Sequence, residues 1–251
     1  MNPFRLQNIL NEKLSALSIK DYCPNGLQIE GRNEINRIVT GVTASQALID
    51  QAIEQEADAL LVHHGYFWKG ESQVLTHMKG RRIASLLGHQ INLLAYHLPL
   101  DIHTELGNNA QLAARLDIKI RRTLEPWDKW SVAVVGELTN AREGSEIAAM
   151  IEKSLQRKPL HIQGHQRPIK KIGICTGGGQ SYLSLAAEQG LDAFISGEIS
   201  EQTTHIAREM GIDYFSCGHH ATERYGVKAL GEWLSDEHSL DVRFIDIDNP
   251  V

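Results

Sequence analysis

The sequence predicts a mixed α/β protein built of two related halves, residues 1–122 and 123–251, with a functional site drawn from both. Three observations carry that expectation. Two segments run through the same order of strand, helix and strand. A run of residues inside them matches without a gap. Each half then places histidines and carboxylates just past the end of a strand. Strands that alternate with helices belong to parallel sheets, and such sheets carry their sites beyond the carboxyl ends of the strands.

The elements follow in order. The opening MNPFRLQNILNEKL has the spacing of an amphipathic helix and lacks the features of a signal peptide. Ile38 and Val39 begin a short apolar strand. Leu48, Ile49, Ala52 and Ile53 then form one face of a helix, and Ala59 to Val62 form the next strand. In the second half, KIGICTGGGQSYLSLAAEQGLDAFISGEI repeats that course. Ala52, Glu54, Gln55, Asp58 and Ala59 match Ala186, Glu188, Gln189, Asp192 and Ala193 residue for residue. We read this as an internal duplication.

Downstream, GRRIASLLGHQINLLAYHLPLD reads as a helix, a glycine stop and a strand that leads to His97 and Asp101. THIAREMGIDYFSCGHHATE reads the same way and leads to His219 and Glu223. Between the halves, Thr123 to Trp130 is rich in Trp, Pro and charge. SVAVVGEL then reads as a strand, and SEIAAMIEKSL as a helix with Ser145 as its N-cap. YGVKALGEWLSDE is a further helix, and VRFIDID closes the chain as an edge strand.

Composition narrows the class. A hydrophobic fraction of 42 % and a charged fraction of 22 % permit a sizeable core and show no disorder signature. A net charge of -6 excludes the basic footprint of a duplex nucleic-acid binder. No apolar run reaches the roughly 20 residues of a membrane span. The three cysteines, Cys23, Cys175 and Cys217, are too few and too scattered for a disulfide framework and suit a reducing, cytoplasmic setting. Histidine stands out by its placement among the twelve present.

His63 and His64 end the strand ALLVHHG, where a loop opened by Gly65 would let both imidazoles turn to one cavity. Asp101 lies in HLPLDIH, and His219 and Glu223 lie four apart in GHHATER, on one face if that segment is helical. Each has a bland reading by itself: a capping histidine, a turn aspartate, a surface His–Glu pair. Together, three imidazoles and two carboxylates at strand ends suit a pair of divalent ions with open positions, bridged by a carboxylate. Zn, Fe, Mn and Mg all remain open. His97 and Glu198 are candidates for proton transfer, although His97 also suits a hydrogen-bonded core role and Glu198 a helix cap. His205 lies near in sequence but suits an exposed helix face equally well. Gly177, Gly178 and Gly179 form a turn that could offer backbone amides to a phosphate, without the lysine of a P-loop. Tyr66, Phe67 and Trp68 could stack a ring beside the metals or form a subunit contact.

With these residues in place, the chain resembles the Nif-three-like family, often labelled GTP cyclohydrolase 1 type 2 homologue. The resemblance rests on PNGLQIEG at 24–31, VTGVTAS at 39–45, VHHGYFWKG at 62–70, YHLPLDIHTELGNN at 96–109, DAFISGEIS at 192–200 and CGHHATER at 217–224. It implies a duplicated α/β fold with a dinuclear metal centre on His63, His64, Asp101, His219 and Glu223, and a hexameric ring of dimers. The chain lacks the inserted domain of longer members. It also carries His220 where an aromatic is commoner. The expected function is that of a metal-dependent hydrolase, cyclohydrolase-like or phosphoesterase-like, acting on a small nucleotide-like or phosphorylated substrate. The alternative is a non-enzymatic metal-binding adaptor or scaffold.

Overall fold

A computed structural model describes residues 1–251 as two units. Met1–Leu106 with Gly226–Asp248 form the first, and Gly107–Tyr225 with Asn249–Val251 form the second. The first unit runs α1 (Pro3–Lys13), β1 (Gly26–Ile29), β2 (Arg37–Thr43), α2 (Gln46–Glu54), β3 (Ala59–His64), α3 (His77–Gly88), β4 (Asn92–Ala95) and the short α4 (Leu98–Ile102). The second runs α5 (Asn108–Arg115), β5 (Ile118–Thr123), β6 (Val134–Arg142), α6 (Gly144–Leu155), β7 (Leu160–Ile162), β8 (Ile169–Cys175), α7 (Leu183–Glu188), β9 (Ala193–Ser196), α8 (Glu201–Met210) and β10 (Asp213–Ser216). A long helix, α9 (His219–His238), starts in the second unit and finishes in the first, followed by β11 (Asp241–Phe244). No helix is long and apolar enough to cross a membrane.

This division differs from one at residue 122. The reason is pairing. β11 lies parallel to β2, with Asp241 opposite Arg37 and Phe244 opposite Thr40, so the end of the chain completes the first sheet as an edge strand. α5 packs instead with β5 and contributes Leu112 and Ala113 to the second core. The α6 N-cap also differs from expectation. Glu143, not Ser145, caps the helix, through a capping box with Glu146 whose carboxylate accepts from the Glu143 amide at 2.8 Å.

In the first sheet the order is β1-β4-β3-β2-β11. The strands β2, β3 and β4 are parallel, and their alternate residues sort to two faces. Ile38, Val42 and Leu61 face a cluster with Leu6 and Leu10 of α1 and Val227, Leu230 and Leu234 of α9. Val39, Leu60 and Val62 face Ile49 and Ala52 of α2 and Ile83 and Leu86 of α3. Burial of each such leucine or isoleucine contributes about 1.5–3 kcal/mol, which is why the strands read as nearly continuous apolar runs.

The second sheet has the order β5-β6-β8-β9-β10-β7, with β8, β9 and β10 parallel. Its strand–helix–strand–helix–strand path and its register reproduce those of β2 to β4. Ile38 pairs with Ala59 as Ile172 pairs with Ala193, and Ala59 pairs with Asn92 as Ala193 pairs with Asp213. The matched aspartates explain part of the sequence repeat. Asp58 Oδ2 accepts from the amides of Asn36 and Arg37 at 2.8 and 2.9 Å. Asp192 Oδ2 accepts from Lys170 and Lys171 at 3.0 and 2.8 Å. In both units an aspartate at the start of one strand ties down the amides that open its neighbour.

Candidate metal centre

In the first unit the site grows from the carboxyl end of β3. His63 is fully buried, and its Nδ1 lies 2.9 Å from the Tyr96 carbonyl oxygen. A carbonyl can only accept, so Nδ1 carries the proton and Nε2 keeps a lone pair. Nε2 lies 3.6 Å from Asp101 Oδ1. His64 still pairs with Thr43 across β2 and β3, so both histidines belong to the strand rather than to a loop. Even so, their rings approach to 4.5 Å between centroids. His64 Nδ1 lies 3.3 Å from Thr43 Oγ1. Gly65 follows because a Cβ there would sit 2.2 Å from Gln28 Oε1, the atom that accepts from the Tyr66 amide.

α4 supplies Asp101, 8 % exposed. His97, just before that helix, is buried with its Nδ1 3.0 Å from Asp21 Oδ1. Asp21 escaped the sequence reading. It sits in a loop without periodicity, and only its closeness to PNGLQIEG hinted at a role. Asp21 also accepts from the amides of Tyr22 and Leu98 and from Asn25 Nδ2. Burial works against its ionisation, but His97, Asn25 and the Leu98 amide outweigh this and hold the carboxyl down at about 2. Burial, with Asp21 beside it, pushes the Cys23 thiol up to about 12, so Cys23 is not a ready thiolate. The donor atoms of His63, His64 and His97 lie within 4.8 Å of one another.

In the second unit, Gly218 with φ +94° turns the chain from β10 into α9, whose first residue is His219. Glu223, one turn on and 3 % exposed, puts Oε2 3.2 Å from His219 Nε2. Glu198 Oε1 lies 2.8 Å from His219 Nδ1, and Gln180 Nε2 donates to Glu198 Oε2 at 3.2 Å. Burial opposes protonation of His219, but Glu223 and Glu198 together lift its imidazole to about 9. The hydrogen bond from His219 in turn lowers the Glu198 carboxyl. His219 Nε2 could hold a cation in place of that second proton, with Nδ1–H still donating to Glu198, as in a carboxylate–histidine–metal triad.

The glycine turn after β8 has a different task from the phosphate cradle considered above. The Gly177 amide donates to Thr222 Oγ1 and the Gly179 amide to Ser196 Oγ, both at 3.0 Å. The glycines are there for space. At Gly177, with φ +63°, a Cβ would lie 2.1 Å from Glu223 Oε1, and at Gly179 it would lie 2.5 Å from the Cys175 Cβ. The strand register also shifts one expected equivalence. Aligning Asn92 with Asp213 sets His97 against Gly218, so His97–Asp101 and His219–Glu223 are one residue out of step. His205 is exposed on α8, and His220 is buried with its amide donating to the Val251 carbonyl at 3.0 Å.

These surroundings fit a metal. Each unit has a buried carboxylate beside a histidine whose Nδ1 is anchored and whose Nε2 faces that carboxylate, and Gly177 leaves the Glu223 carboxylate a cradle that a side chain would fill. Several such clusters are able to hold an ion.

Residues 1–250 match the family model described as Duf34/NIF3 (NGG1p interacting factor 3), and the chain belongs to that family. It is 62 % identical over 253 residues to a protein of Vibrio cholerae serotype O1, and 61 % identical over 254 residues to one of Haemophilus influenzae. Both are named GTP cyclohydrolase 1 type 2 homolog, and the match covers 100 % of each chain. Among solved structures, ybgI, a protein of unknown function, shares 53 % identity at a TM-score of 0.96. TTHA1606 from Thermus thermophilus shares 31 % at 0.89, and both matches span 100 % of each chain.

Proposed function

We propose that this Duf34/NIF3 protein binds two divalent metal ions through His63, His64, Asp101, His219 and Glu223. We further propose that it uses them to hydrolyse a small nucleotide-like or phosphorylated substrate. The observation that carries the reading is the paired arrangement of an anchored imidazole beside a buried carboxylate, found once in each unit: His63 with Asp101, and His219 with Glu223. Bound ions would supply Lewis-acid activation of water and charge stabilisation at a leaving oxygen.

The chain's own groups do the rest. The Tyr96 carbonyl and Glu198 fix the tautomers of His63 and His219, so that each presents Nε2. The two carboxylates offset the charge of the cations, which neutral imidazoles cannot do. Glu198, whose Oε1 faces His219 Nδ1 and whose Oε2 accepts from Gln180 Nε2, is the carboxylate to exchange a proton during turnover. His97, fixed by Asp21 through Nδ1, has Nε2 left for chemistry. Cyclohydrolase action on GTP, which the names of the relatives suggest, is one version of the reaction, and phosphoester hydrolysis is the other. A cytoplasmic location, in keeping with three cysteines outside any disulfide, and a hexameric ring belong to the same reading.

The test is metal analysis of the purified protein followed by turnover of GTP and of phosphoesters with Mn, Zn, Fe and Mg. Two bound ions with metal-dependent hydrolysis are expected. Two ions without turnover of any such substrate would favour the adaptor or scaffold role instead. Absence of stoichiometric metal overturns the proposal.

A further inference from the structure

We infer that the rings of Tyr22 and Trp68 form a stacking corner for a planar heteroaromatic ring, a purine or one like it, carried by the substrate. The inference rests on the proposed function and deepens it by naming the part of the substrate that this chain recognises.

The corner lies wholly in the first unit. The Tyr22 and Trp68 ring centroids are 5.7 Å apart, with the planes at 38°. Both rings meet His97 edge-on, Tyr22 at 4.9 Å and 75° and Trp68 at 5.0 Å and 87°. Trp68 also lies 5.9 Å from His64. Two aromatic side chains thus stand against two imidazoles of the candidate centre, at separations typical of favourable ring pairs. A flat ring stacked on them lies next to the groups that the proposed chemistry uses.

Single exposed hydrophobic side chains are ordinary and carry no meaning alone. Tyr22 differs because its backbone is fixed on both sides while its side chain stays in water. Its amide donates to Asp21 Oδ1 at 2.7 Å. Its carbonyl accepts from the Lys69 amide at 2.7 Å, which ties the loop of Tyr22 to that of Trp68. Trp68 is held likewise. Its amide donates to Glu71 Oε2 at 3.0 Å, and its carbonyl accepts from the Glu71 amide at 2.9 Å. Yet Tyr22 is 51 % exposed. A ring held in place and left wet offers contact area at little cost in conformational entropy, as a stacking surface requires.

The neighbours narrow the ligand. Tyr66 is buried, with its hydroxyl donating to the Ala44 carbonyl, and the Phe67 ring has the Lys79 ammonium 4.8 Å from its centroid. Of the run Tyr66–Phe67–Trp68, it is therefore Trp68 that meets Tyr22 and His97. Lys79 is also taken up by Glu71 at 3.1 Å, and the carboxylates of Asp21 and Glu71 sit on the backbone of the two rings. This charge disfavours a phosphate on the rings, so the corner takes the uncharged, flat part of a substrate.

The experiment is calorimetry on the full chain with guanosine, GTP and inorganic triphosphate, with metal analysis and circular dichroism on the same samples. Guanosine is expected to bind without added metal, and GTP to bind more tightly than triphosphate by about 5–150-fold, the span of one stacked base. Tyr22→Ala is expected to remove about that factor from guanosine and GTP, and Tyr22→Phe to keep most of the affinity. Trp68→Leu, which retains apolar bulk without the indole face, should behave as Tyr22→Ala. Triphosphate affinity and metal content should stay at the wild-type level in all three. Tyr22 is half exposed, so its variants decide the matter if Trp68→Leu fails to fold. The proposal is overturned if GTP binds no tighter than triphosphate, or if Tyr22→Ala binds guanosine and GTP as the wild type does. In either case a chain that still holds two ions keeps the metal reading. A chain without metal in which Tyr22→Ala loses guanosine keeps the stacking corner and loses the metal reading.

Discussion

Gly177→Ala tests how tightly the second unit holds Glu223, and Gly190→Ala supplies its control. Both glycines have left-handed backbones, at φ +63° and +69°. An L side chain in that region costs about 1–2 kcal/mol, so the backbone penalty is shared. The surroundings differ. A Cβ at Gly190 meets nothing within 4 Å, whereas at Gly177 it lies 2.1 Å from Glu223 Oε1. Clearing the 3.0 Å limit for a Cβ contact moves that carboxylate by 0.9 Å or more. The contact with His219, 3.2 Å in the native site, is then lost or distorted. A hydrogen bond to a charged group contributes about 1.5–3 kcal/mol. Gly190→Ala should therefore lower stability by about 1–2 kcal/mol, roughly 2–8 °C in Tm for a chain of this size. Gly177→Ala should lose a further 1.5–3 kcal/mol or so. Metal–ligand distances tolerate only about ±0.2 Å, so Gly177→Ala should also release metal while Gly190→Ala keeps it. Thermal melts, urea titration and metal analysis of the two variants decide it. Equal losses of stability, with wild-type metal content in Gly177→Ala, would refute this account.

Other outcomes follow from the same structure. Glu223→Gln and Asp101→Asn should each reduce bound metal from two ions toward one with the fold intact by circular dichroism, because a carboxylate both bridges and neutralises cations. His205→Ala, on the exposed side of α8, should retain both. Asp58→Ala and Asp192→Ala each strip two largely exposed amides of their acceptor, and urea unfolding should show losses of about 1–3 kcal/mol, the larger for Asp58, whose Oδ1 also accepts from Arg32 Nη1 at 2.9 Å. Asp213 is buried, which opposes its ionisation, but His161 and the amides of Gly164 and His165 hold its carboxyl below the ordinary value of 3.8. Its contribution to stability is therefore complete above pH 3.8 and is lost as pH falls through its lowered folded-state value. Urea midpoints should separate wild type from Asp213→Asn widely at pH 7, and the gap should narrow as pH drops below 3.8. A gap independent of pH would show that the carboxylate charge contributes nothing.

What the sequence determined alone was whatever is local or periodic. The apolar runs around Val39, Leu60 and Ile172, and the face of Leu48, Ile49 and Ala52, specify strands and helices because each such residue must be buried on one side or both. The gapless match from Ala52 to Ala59 with Ala186 to Ala193 was legible for the same reason: it encodes helix ends and the aspartates that close strand starts. The ligand candidates could be named from residue type and strand-end position. Tertiary structure decided what depends on partners far apart in the chain. It returned β11 to the first sheet, because a strand's sheet is settled by the neighbour whose amides it satisfies, here β2. It reassigned the glycine turn from anion cradle to spacer, because only the fold brings Glu223 and Cys175 against it. It also brought Asp21 to His97 across most of the first unit, a contact without a sequence period. A carboxylate in an irregular loop announces nothing until the imidazole it orients is beside it.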